Sequence, residues 1–162
     1  MDVPHSSGPA RAMHRLKPAC LALLAALSLA AGTAHAVDFK SVGAAPAVFY
    51  DAPSERGRRV FVAPRGMPVE VVLTYNEWSK VRDAGGDLSW VESKALSNAR
   101  TVVVSAAKAR IHAAAEDASP LVFTADKGVL LELTEPARSD WVKVRHRDGQ
   151  GGYVKAAEVW GD

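Results

Sequence analysis

Short runs of alternating apolar and polar residues recur along the chain from about residue 40 onward. In the run 69–74 the odd-numbered positions (Val69, Val71 and Leu73) are apolar, and we expect them to face a core. In the run 141–145 the even-numbered positions are valine. Gly85-Gly86 and Asp148-Gly149 lie between such runs and are typical of hairpin turns. Several short strands separated by turn signals predict an all-β fold, a small barrel or sandwich.

These runs belong to an internal repeat. Residues 78–82 (Trp-Ser-Lys-Val-Arg) match residues 141–145 (Trp-Val-Lys-Val-Arg) at an offset of 63, and residues 61–66 match residues 123–128 at an offset of 62. One inserted residue between Gly128 and Trp141 accounts for the change in offset from 62 to 63. A unit of about 60 residues is marginal on its own, so we expect two units packed side by side. The polar break at residues 97–99 places the predicted domains at 37–98 and 99–162.

One alanine-rich stretch argues against an all-β fold. Residues 106–118 contain seven alanines in thirteen positions, and helix propensity alone would make them a helix. Only Ile111 in this stretch is a large apolar residue, so there is no apolar stripe for a helix to bury. The repeat alignment instead predicts the first strand and long loop of the second unit.

The first 36 residues have the three parts of a secretory signal peptide. A basic segment (residues 11–17) precedes an apolar stretch of about 11 residues (21–31), which is too short for a membrane span of roughly 20. Ala34-His35-Ala36 places the predicted cleavage after Ala36. Because Met13 directly precedes the basic segment, residues 1–12 are a candidate start-site extension. We therefore expect an exported mature chain without a membrane span, located in a bacterial periplasm.

Charge and cysteine content exclude several classes of function. The chain has 20 Lys+Arg and 18 Asp+Glu, and three of the basic and one of the acidic residues lie in the first 36. Residues 37–162 therefore carry 17 of each, and this neutrality predicts no binding to nucleic acid. Cys20 is the only cysteine and would be removed with the leader, which excludes disulfides and a cysteine nucleophile in the mature chain.

No motif for catalysis or cofactor binding is found. His112 and His146 lie 34 residues apart with no neighbouring ligand pattern, so no metal site is predicted. No Gly-x-Ser-x-Gly elbow and no phosphate-binding glycine loop occur. A glycosidase would need two carboxylates across a cleft, and a barrel of this size leaves little room for one. We predict no catalytic residues and no cofactor.

Aromatic recognition remains as the candidate chemistry. Trp78 and Trp141 have the strand parity of the basic residues that follow them and the opposite parity to the valines, so both should lie on the outer face. An exposed Trp among basic side chains suits a sugar face or a peptide carboxylate. Alternatively, each Trp packs over a barrel end and binds nothing. Trp90 and Tyr153 are each followed by valine and are predicted to close the barrels. The candidate ligand-binding residues are Tyr50, Tyr75, Trp78, Lys80, Arg82, Trp141, Lys143 and Arg145.

The order of these motifs resembles the bacterial SH3 domain family. Members usually carry a Gly-Trp-aromatic-Lys-Val strand and a later Gly-Trp-Val strand, and the first unit resembles this pattern at Trp78, Lys80-Val81 and Trp90-Val91. The second unit departs from the pattern with Tyr153 in place of Trp and His112 in place of Tyr50. The resemblance implies two tandem SH3-like barrels of five to six strands each. It also implies a non-catalytic protein associated with the bacterial cell wall.

Together these observations predict a non-enzymatic, exported binding module. Its expected ligand is a cell-wall peptide or glycan (a peptidoglycan fragment) or an extended peptide, held in an aromatic-lined groove. The alternatives are a structural adaptor that docks on a periplasmic protein partner and, third, a small wall hydrolase.

Overall fold

The computed structural model describes residues 37–136 and 140–162, and Val37–Asp162 form one compact unit. Its regular elements are fourteen β-strands and two single-turn 3-10 helices. The predicted signal peptide lies outside the described residues. No helix in the described part of the chain is both long and apolar enough to cross a membrane.

The first seven strands form one antiparallel sheet with the order β3-β2-β6-β5-β4-β1-β7. A 3-10 turn at Ser93–Ala95 precedes the last of them. The strands are β1 (Phe39–Val42), β2 (Ala47–Tyr50), β3 (Arg59–Ala63), β4 (Pro68–Tyr75), β5 (Trp78–Arg82), β6 (Leu88–Glu92) and β7 (Leu96–Ser97).

The second seven strands repeat this arrangement, in the order β10-β9-β13-β12-β11-β8-β14. The predicted tandem of all-β, SH3-like units is therefore confirmed. Each unit has seven strands, more than the five to six implied by the resemblance, because a two-residue strand (β7 or β14) adds to the first strand of its unit. The strands are β8 (Thr101–Val104), β9 (Lys108–His112), β10 (Leu121–Asp126), β11 (Leu130–Leu133), β12 (Trp141–Arg145), β13 (Gly151–Lys155) and β14 (Val159–Trp160).

Each unit has its own hydrophobic core. In the first unit, Phe49, Val81 and Val91 are among the fully buried side chains. Ile111 and Val144 belong to the corresponding cluster in the second unit. Small β-branched residues predominate in both cores, as expected for the inner face of a tightly curved sheet. The units are therefore two barrels rather than one sandwich with a shared core.

The alanine-rich stretch folds as predicted from the repeat and not as its propensity would suggest. Lys108–His112 form β9, in which Ala109 and Ile111 are fully buried, and residues 113–120 form the loop that follows. Ala109 lies opposite Ala125 on β10, and both small side chains are buried in the core of the second barrel. Tertiary packing thus overrides helix propensity here.

The prediction that Leu73 faces the core is wrong. The register between β4 and β5 shifts between Val71 and Leu73, which leaves Val72 without a paired residue. Such a β-bulge reverses the facing of the residues beyond it. Leu73 lies opposite Lys80 and is 45% exposed, whereas Val69 is fully buried and Val71 packs against the core.

The two barrels are joined by hydrogen bonds and an aromatic contact. Thr101 Oγ1, at the start of the second barrel, donates to the carbonyl oxygen of Gly66 at 2.6 Å. Because that proton is used, the hydroxyl of Ser41 donates to Thr101 Oγ1, also at 2.6 Å. The rings of Phe39 and Trp160 meet edge-on, with centroids 5.0 Å apart. These contacts make Val37–Asp162 one compact unit despite its two cores.

Arg100, in the segment between the barrels, connects both ends of the unit. Its Nη2 donates to the carbonyl oxygen of Gly161 at 2.9 Å, and its guanidinium lies 5.6 Å from the ring centroid of Phe39. Gly161 has φ of +111°, and a Cβ there would come within 2.9 Å of the Thr101 carbonyl oxygen. Only glycine allows this close approach without strain.

Replacing Thr101 with valine tests the junction. The Thr101→Val substitution keeps the shape but leaves the Gly66 carbonyl and the Ser41 hydroxyl without their partner. We expect the free energy of unfolding to fall by about 1–3 kcal/mol, measured by urea denaturation. Thr124→Val, at an exposed position on β10, is the matched control and should change stability by less than about 0.5 kcal/mol. Equal effects of the two substitutions would show that the junction hydrogen bonds contribute nothing.

Gly152 on β13 is a second sensitive position. A Cβ there would collide with the carbonyl oxygen of His112 and lie 2.7 Å from Ile111 Cγ2. Because these neighbours belong to a buried strand, we expect Gly152→Ala to cost about 1–3 kcal/mol in thermal unfolding. The control is Gly85→Ala, whose new methyl group would meet only the side chain of Asp83, at 3.2 Å. A control as destabilising as Gly152→Ala would contradict the steric explanation.

Candidate functional site

Strand parity places the two predicted tryptophans on the outer face. In β5, Ser79 and Val81 are buried, whereas Trp78 is half-buried on the opposite face. In β12, Val142 and Val144 are buried and Trp141 is half-buried. The predicted orientation of both strands is therefore confirmed, and the basic residues at alternate positions share the face of each Trp. A role of these residues in ligand binding stays a prediction.

In the first barrel, aromatic side chains form a continuous surface. The ring of Tyr50 meets Trp78 edge-on with centroids 5.5 Å apart, and Tyr50 itself is only 8% exposed. Trp90 lies next to Tyr50 on the neighbouring strand, and Lys80 Nζ lies 5.9 Å from the Trp90 ring centroid. Tyr75, which is 58% exposed, is paired with Trp78 across β4 and β5. We call these five residues the Trp78 surface.

In the second barrel the same place is a cleft. His112 takes the position of Tyr50 and meets Trp141 edge-on at 5.5 Å. His112 Nδ1 donates to the carbonyl oxygen of Ser119 at 2.9 Å, which leaves Nε2 as an acceptor in the neutral ring. A cavity of about 210 Å³ opens beside these rings. Its lining, which we call the Trp141 cleft, consists of Arg110, His112, Asp117, Trp141, Lys155 and Glu158.

Charged groups of both signs line the Trp141 cleft. Lys155 Nζ lies 2.6 Å from Asp117 Oδ1 and 5.6 Å from the Trp141 ring centroid. The hydrogen bond from Lys155 lowers the pKa of Asp117 below its ordinary value; desolvation opposes this shift, and the positive charge of Lys155 adds to it. The backbone N–H of Arg110 donates to Glu158 Oε2 at 3.3 Å. The cleft thus offers an aromatic wall with a cation and carboxylates at its rim.

The two predicted arginines lie away from the tryptophans and form ion pairs. Arg82 is at the far end of β5 and donates to Glu70 at 2.9 Å. Arg145, at the far end of β12, donates to Glu132 from two nitrogens, at 2.8 and 3.1 Å. Each pair joins the same two strand positions in its barrel, so the pairing is a repeated feature of the fold. Arg145 also lines a different depression, the groove between the barrels.

The two predicted lysines remain beside aromatic rings. Lys143 Nζ lies 5.8 Å from the Tyr153 ring centroid, as Lys80 does from Trp90. Lys143 also pairs with Glu135 at 2.5 Å, and this hydrogen bond and the charge of Glu135 raise the pKa of Lys143. Trp90 and Tyr153 therefore belong to the outer aromatic surfaces, where each supports a cation.

The two barrels differ most in the charge opposite each Trp. Glu92 is paired with Trp78 across β5 and β6, and Lys155 is paired with Trp141 across β12 and β13. Glu92 forms an ion pair with Lys94, in which Lys94 Nζ lies 2.8 Å from Glu92 Oε1. Corresponding positions therefore present a carboxylate in one barrel and an ammonium group in the other, and the two surfaces favour ligands of different charge.

Sequence reasoning missed all four charged residues in the cleft, including Asp117 and Lys155. Asp117 lies in the loop after β9, where no periodicity fixes a position, and there it pairs with Lys155. Lys155 could have been found: it follows Tyr153 by two residues, on the same face of β13, and the hairpin register sets it opposite Trp141. Within the described residues, no group of three or more His, Cys, Asp or Glu side chains is placed to hold a metal ion.

Comparison with known proteins identifies the family. A family model described as bacterial SH3 domain matches residues 43–98 and 105–161. The chain therefore belongs to the bacterial SH3 domain family, as the sequence motifs indicated. Bacterial SH3 domains are binding modules, often for the cell wall. No curated protein matches the chain.

The solved structures that the chain matches include two proteins of Trichomonas vaginalis, NlpC2 and NlpC1. Both are 12% identical to this chain, with TM-scores of 0.37. The alignments cover 78% and 82% of this chain, respectively, and 49% of each relative. The chain thus spans about half the length of these structures.

The Lys155–Asp117 pair can be tested by titration. Because the hydrogen bond from Lys155 is the largest cause of the lowered Asp117 pKa, Lys155→Met should raise that pKa. The depressed pKa means that the pair stabilises the fold above pH 3.8 and that this contribution is lost as the pH falls through the folded-state pKa. Carbon-13 NMR titration of the side-chain carboxyls measures the change.

Asp148 provides the internal control for this titration. Its pKa is lowered by the backbone N–H of Gln150 and by His146, so it should not respond to Lys155→Met. An unchanged pKa of Asp117 in the variant would contradict the assigned pairing.

Proposed function

We propose that this chain is a non-enzymatic, exported binding module that docks a cell-wall peptide or glycan, or an extended peptide, on its aromatic surfaces. The observation that carries the proposal is the Trp141 cleft, where an aromatic wall, a cation and carboxylates converge on one cavity. Membership of the bacterial SH3 domain family supports binding as the class of function. The signal-like leader, with its basic segment, apolar stretch and Ala34-His35-Ala36, supports export.

The geometry suits reversible capture of a ligand that has both apolar and charged parts. A sugar face or an apolar side chain can stack on Trp141, which gives contact area with little loss of conformational freedom. The ion pair between Lys155 and Asp117 is exposed to solvent, so its net contribution to stability is small. A ligand carboxylate can therefore replace Asp117 at Lys155, and a ligand amine can replace Lys155 at Asp117, at small cost.

The Trp78 surface is the second binding surface in this proposal. It contains four aromatic residues, of which Tyr75 is exposed, and Glu92 lies beside it at the position where the cleft has Lys155. Small sites of this kind bind in about the micromolar range. If one polymeric ligand reaches both surfaces, linkage raises the overall affinity without any new contact.

A structural adaptor is the alternative that a specific observation favours. Among the strands that the structure describes, β3 is at the edge of its sheet and pairs only with β2, and its apolar residues Val60, Phe61 and Val62 are exposed. Val62 is the most exposed of these, at 61%. Exposed apolar edge strands are sites where another chain can add a strand. An adaptor would use this edge on a protein partner and leave the aromatic surfaces unoccupied.

Co-sedimentation with purified insoluble peptidoglycan tests the proposal. Residues 37–162 should sediment with the wall at low and moderate salt, and Trp141→Ala or Trp78→Ala should weaken the binding about tenfold while circular dichroism shows a folded barrel. Trp160→Phe, which removes an indole at the junction of the barrels, is the matched control and should bind normally.

Two further results decide between the alternatives. If a Trp→Ala variant does not fold, Lys155→Glu in the cleft and Glu92→Lys on the Trp78 surface replace it, because both change only exposed or half-buried charges. No sedimentation at either salt concentration would reject the wall ligand and favour the adaptor. Release of soluble wall fragments during the incubation would identify a hydrolase and contradict the non-enzymatic proposal.

A further inference from the structure

An open groove of about 980 Å³ runs between the two barrels, and its lining includes neither Trp78 nor Trp141. The first barrel contributes residues 41–44 and the turn at Arg65-Gly66, and the second contributes β11 and the hairpin after β12. Residues 97–101, which link the barrels, complete the lining. Ligand sites are frequent at such domain junctions.

The groove concentrates positive charge, although residues 37–162 are neutral in total. Four of its lining residues are arginines, from both barrels and the linker, and the only acidic one is Glu132. The groove therefore carries a net charge of +3, whereas residues 37–162 as a whole have 17 basic and 17 acidic side chains. The arginines are Arg65, Arg100, Arg145 and Arg147.

The four arginines fall into two groups. Arg100 is fixed by the Gly161 carbonyl and the Phe39 ring, and Arg145 by Glu132. Within the part of the chain that the structure describes, neither Arg65 nor Arg147 has a side-chain hydrogen bond or an ion pair. Arg65 is on the first barrel and Arg147 on the second, so two exposed guanidinium groups face the groove from opposite barrels.

The lining also includes apolar residues, chiefly the leucines of β11. Leu130 and Leu133 of β11 are half-buried along the groove, and the Leu130 Cδ1 atom packs where Gly66 has no side chain. The leucines can contact apolar side chains of a bound polypeptide, and the guanidinium groups can bind its carboxylates. The lining therefore suits a polypeptide in which apolar and acidic residues alternate. Guanidinium groups bind carboxylates with two parallel hydrogen bonds, which gives direction as well as charge.

We propose that the groove between the barrels is a separate binding site for an extended acidic segment of a protein partner. The shape favours a polypeptide over a small polyanion, because small-molecule sites enclose most of their ligand whereas this groove is open along its length. Because the groove is positively charged, the bound segment must carry carboxylates that can reach Arg65 and Arg147. The site is independent of the aromatic surfaces and does not depend on a wall ligand.

Fluorescence anisotropy with a labelled peptide of repeated Glu-Leu-Ser units tests this site. The compact unit 37–162, which contains both cores, should bind the peptide in about the micromolar range at about 150 mM salt, and a Lys-Leu-Ser peptide should not bind. The double variant Arg65→Ser/Arg147→Ser should bind about tenfold or more weakly.

The matched control is Arg56→Ser/Arg59→Ser, which removes two exposed arginines outside the groove and changes the net charge equally. It should weaken binding by less than about twofold. Equal losses in the two double variants would show nonspecific charge attraction and overturn the proposal, as would no binding of the Glu-Leu-Ser peptide up to about 1 mM.

Three other outcomes would also overturn it. Citrate that displaces the peptide with equal affinity would show a small-anion site. Loss of peptide binding in Trp78→Ala or Trp141→Ala would place the peptide on the aromatic surfaces. Loss of peptidoglycan sedimentation in Arg65→Ser/Arg147→Ser would make the groove a wall site. Since wall binding and peptide binding are measured separately, failure of this proposal leaves the proposed wall-binding function standing, and the reverse also holds.

Discussion

The alternation of inward and outward residues in β5 and β12 is the constraint on which the binding surfaces depend. The inward residues Ser79 and Val81, like Val142 and Val144, have almost no exposed area. A shift of one residue in either strand would bury lysine and arginine in a core built from valines, at a prohibitive cost in desolvation. The register is therefore fixed, and each Trp-x-Lys-x-Arg face must point outward.

The sequence was sufficient for features that follow from this alternation and from the repeat. The two barrels, the strand from the alanine-rich stretch and the outward tryptophans were all predicted, because each depends on periodicity or on alignment of the two copies. The bulge at Val72 was not predicted, since an extra residue on one strand leaves no mark in an alternating pattern when the residue itself is apolar.

Contacts made by long side chains across loops were also beyond the sequence. Asp117 belongs to a loop whose path is set by the His112–Ser119 hydrogen bond, and that bond joins residues with no periodic relation. The arginines of the groove come from a turn, a linker and a hairpin, which meet only once the two barrels are joined through Thr101. Local patterns locate strands, but they do not locate surfaces that several loops build together.

The two copies of the repeat share one strand arrangement but differ in the residues on their outer faces. Trp78 and Trp141 occupy the same place, yet one has Tyr50 and Glu92 as neighbours and the other has His112 and Lys155. These exchanges lie on the outer face, where they alter charge without changing the core volume. Two barrels of one fold can in this way present two chemically different faces within one compact unit.

The contact between Phe39 and Trp160 brings the beginning and the end of the compact unit together. Arg100 touches both, since it lies over Phe39 and binds the carbonyl of Gly161. A label, tag or immobilising tether attached at either end of this unit therefore lies beside the junction between the barrels. A bulky fusion partner at either end would stand next to Arg100, which lines the groove, and would crowd that groove.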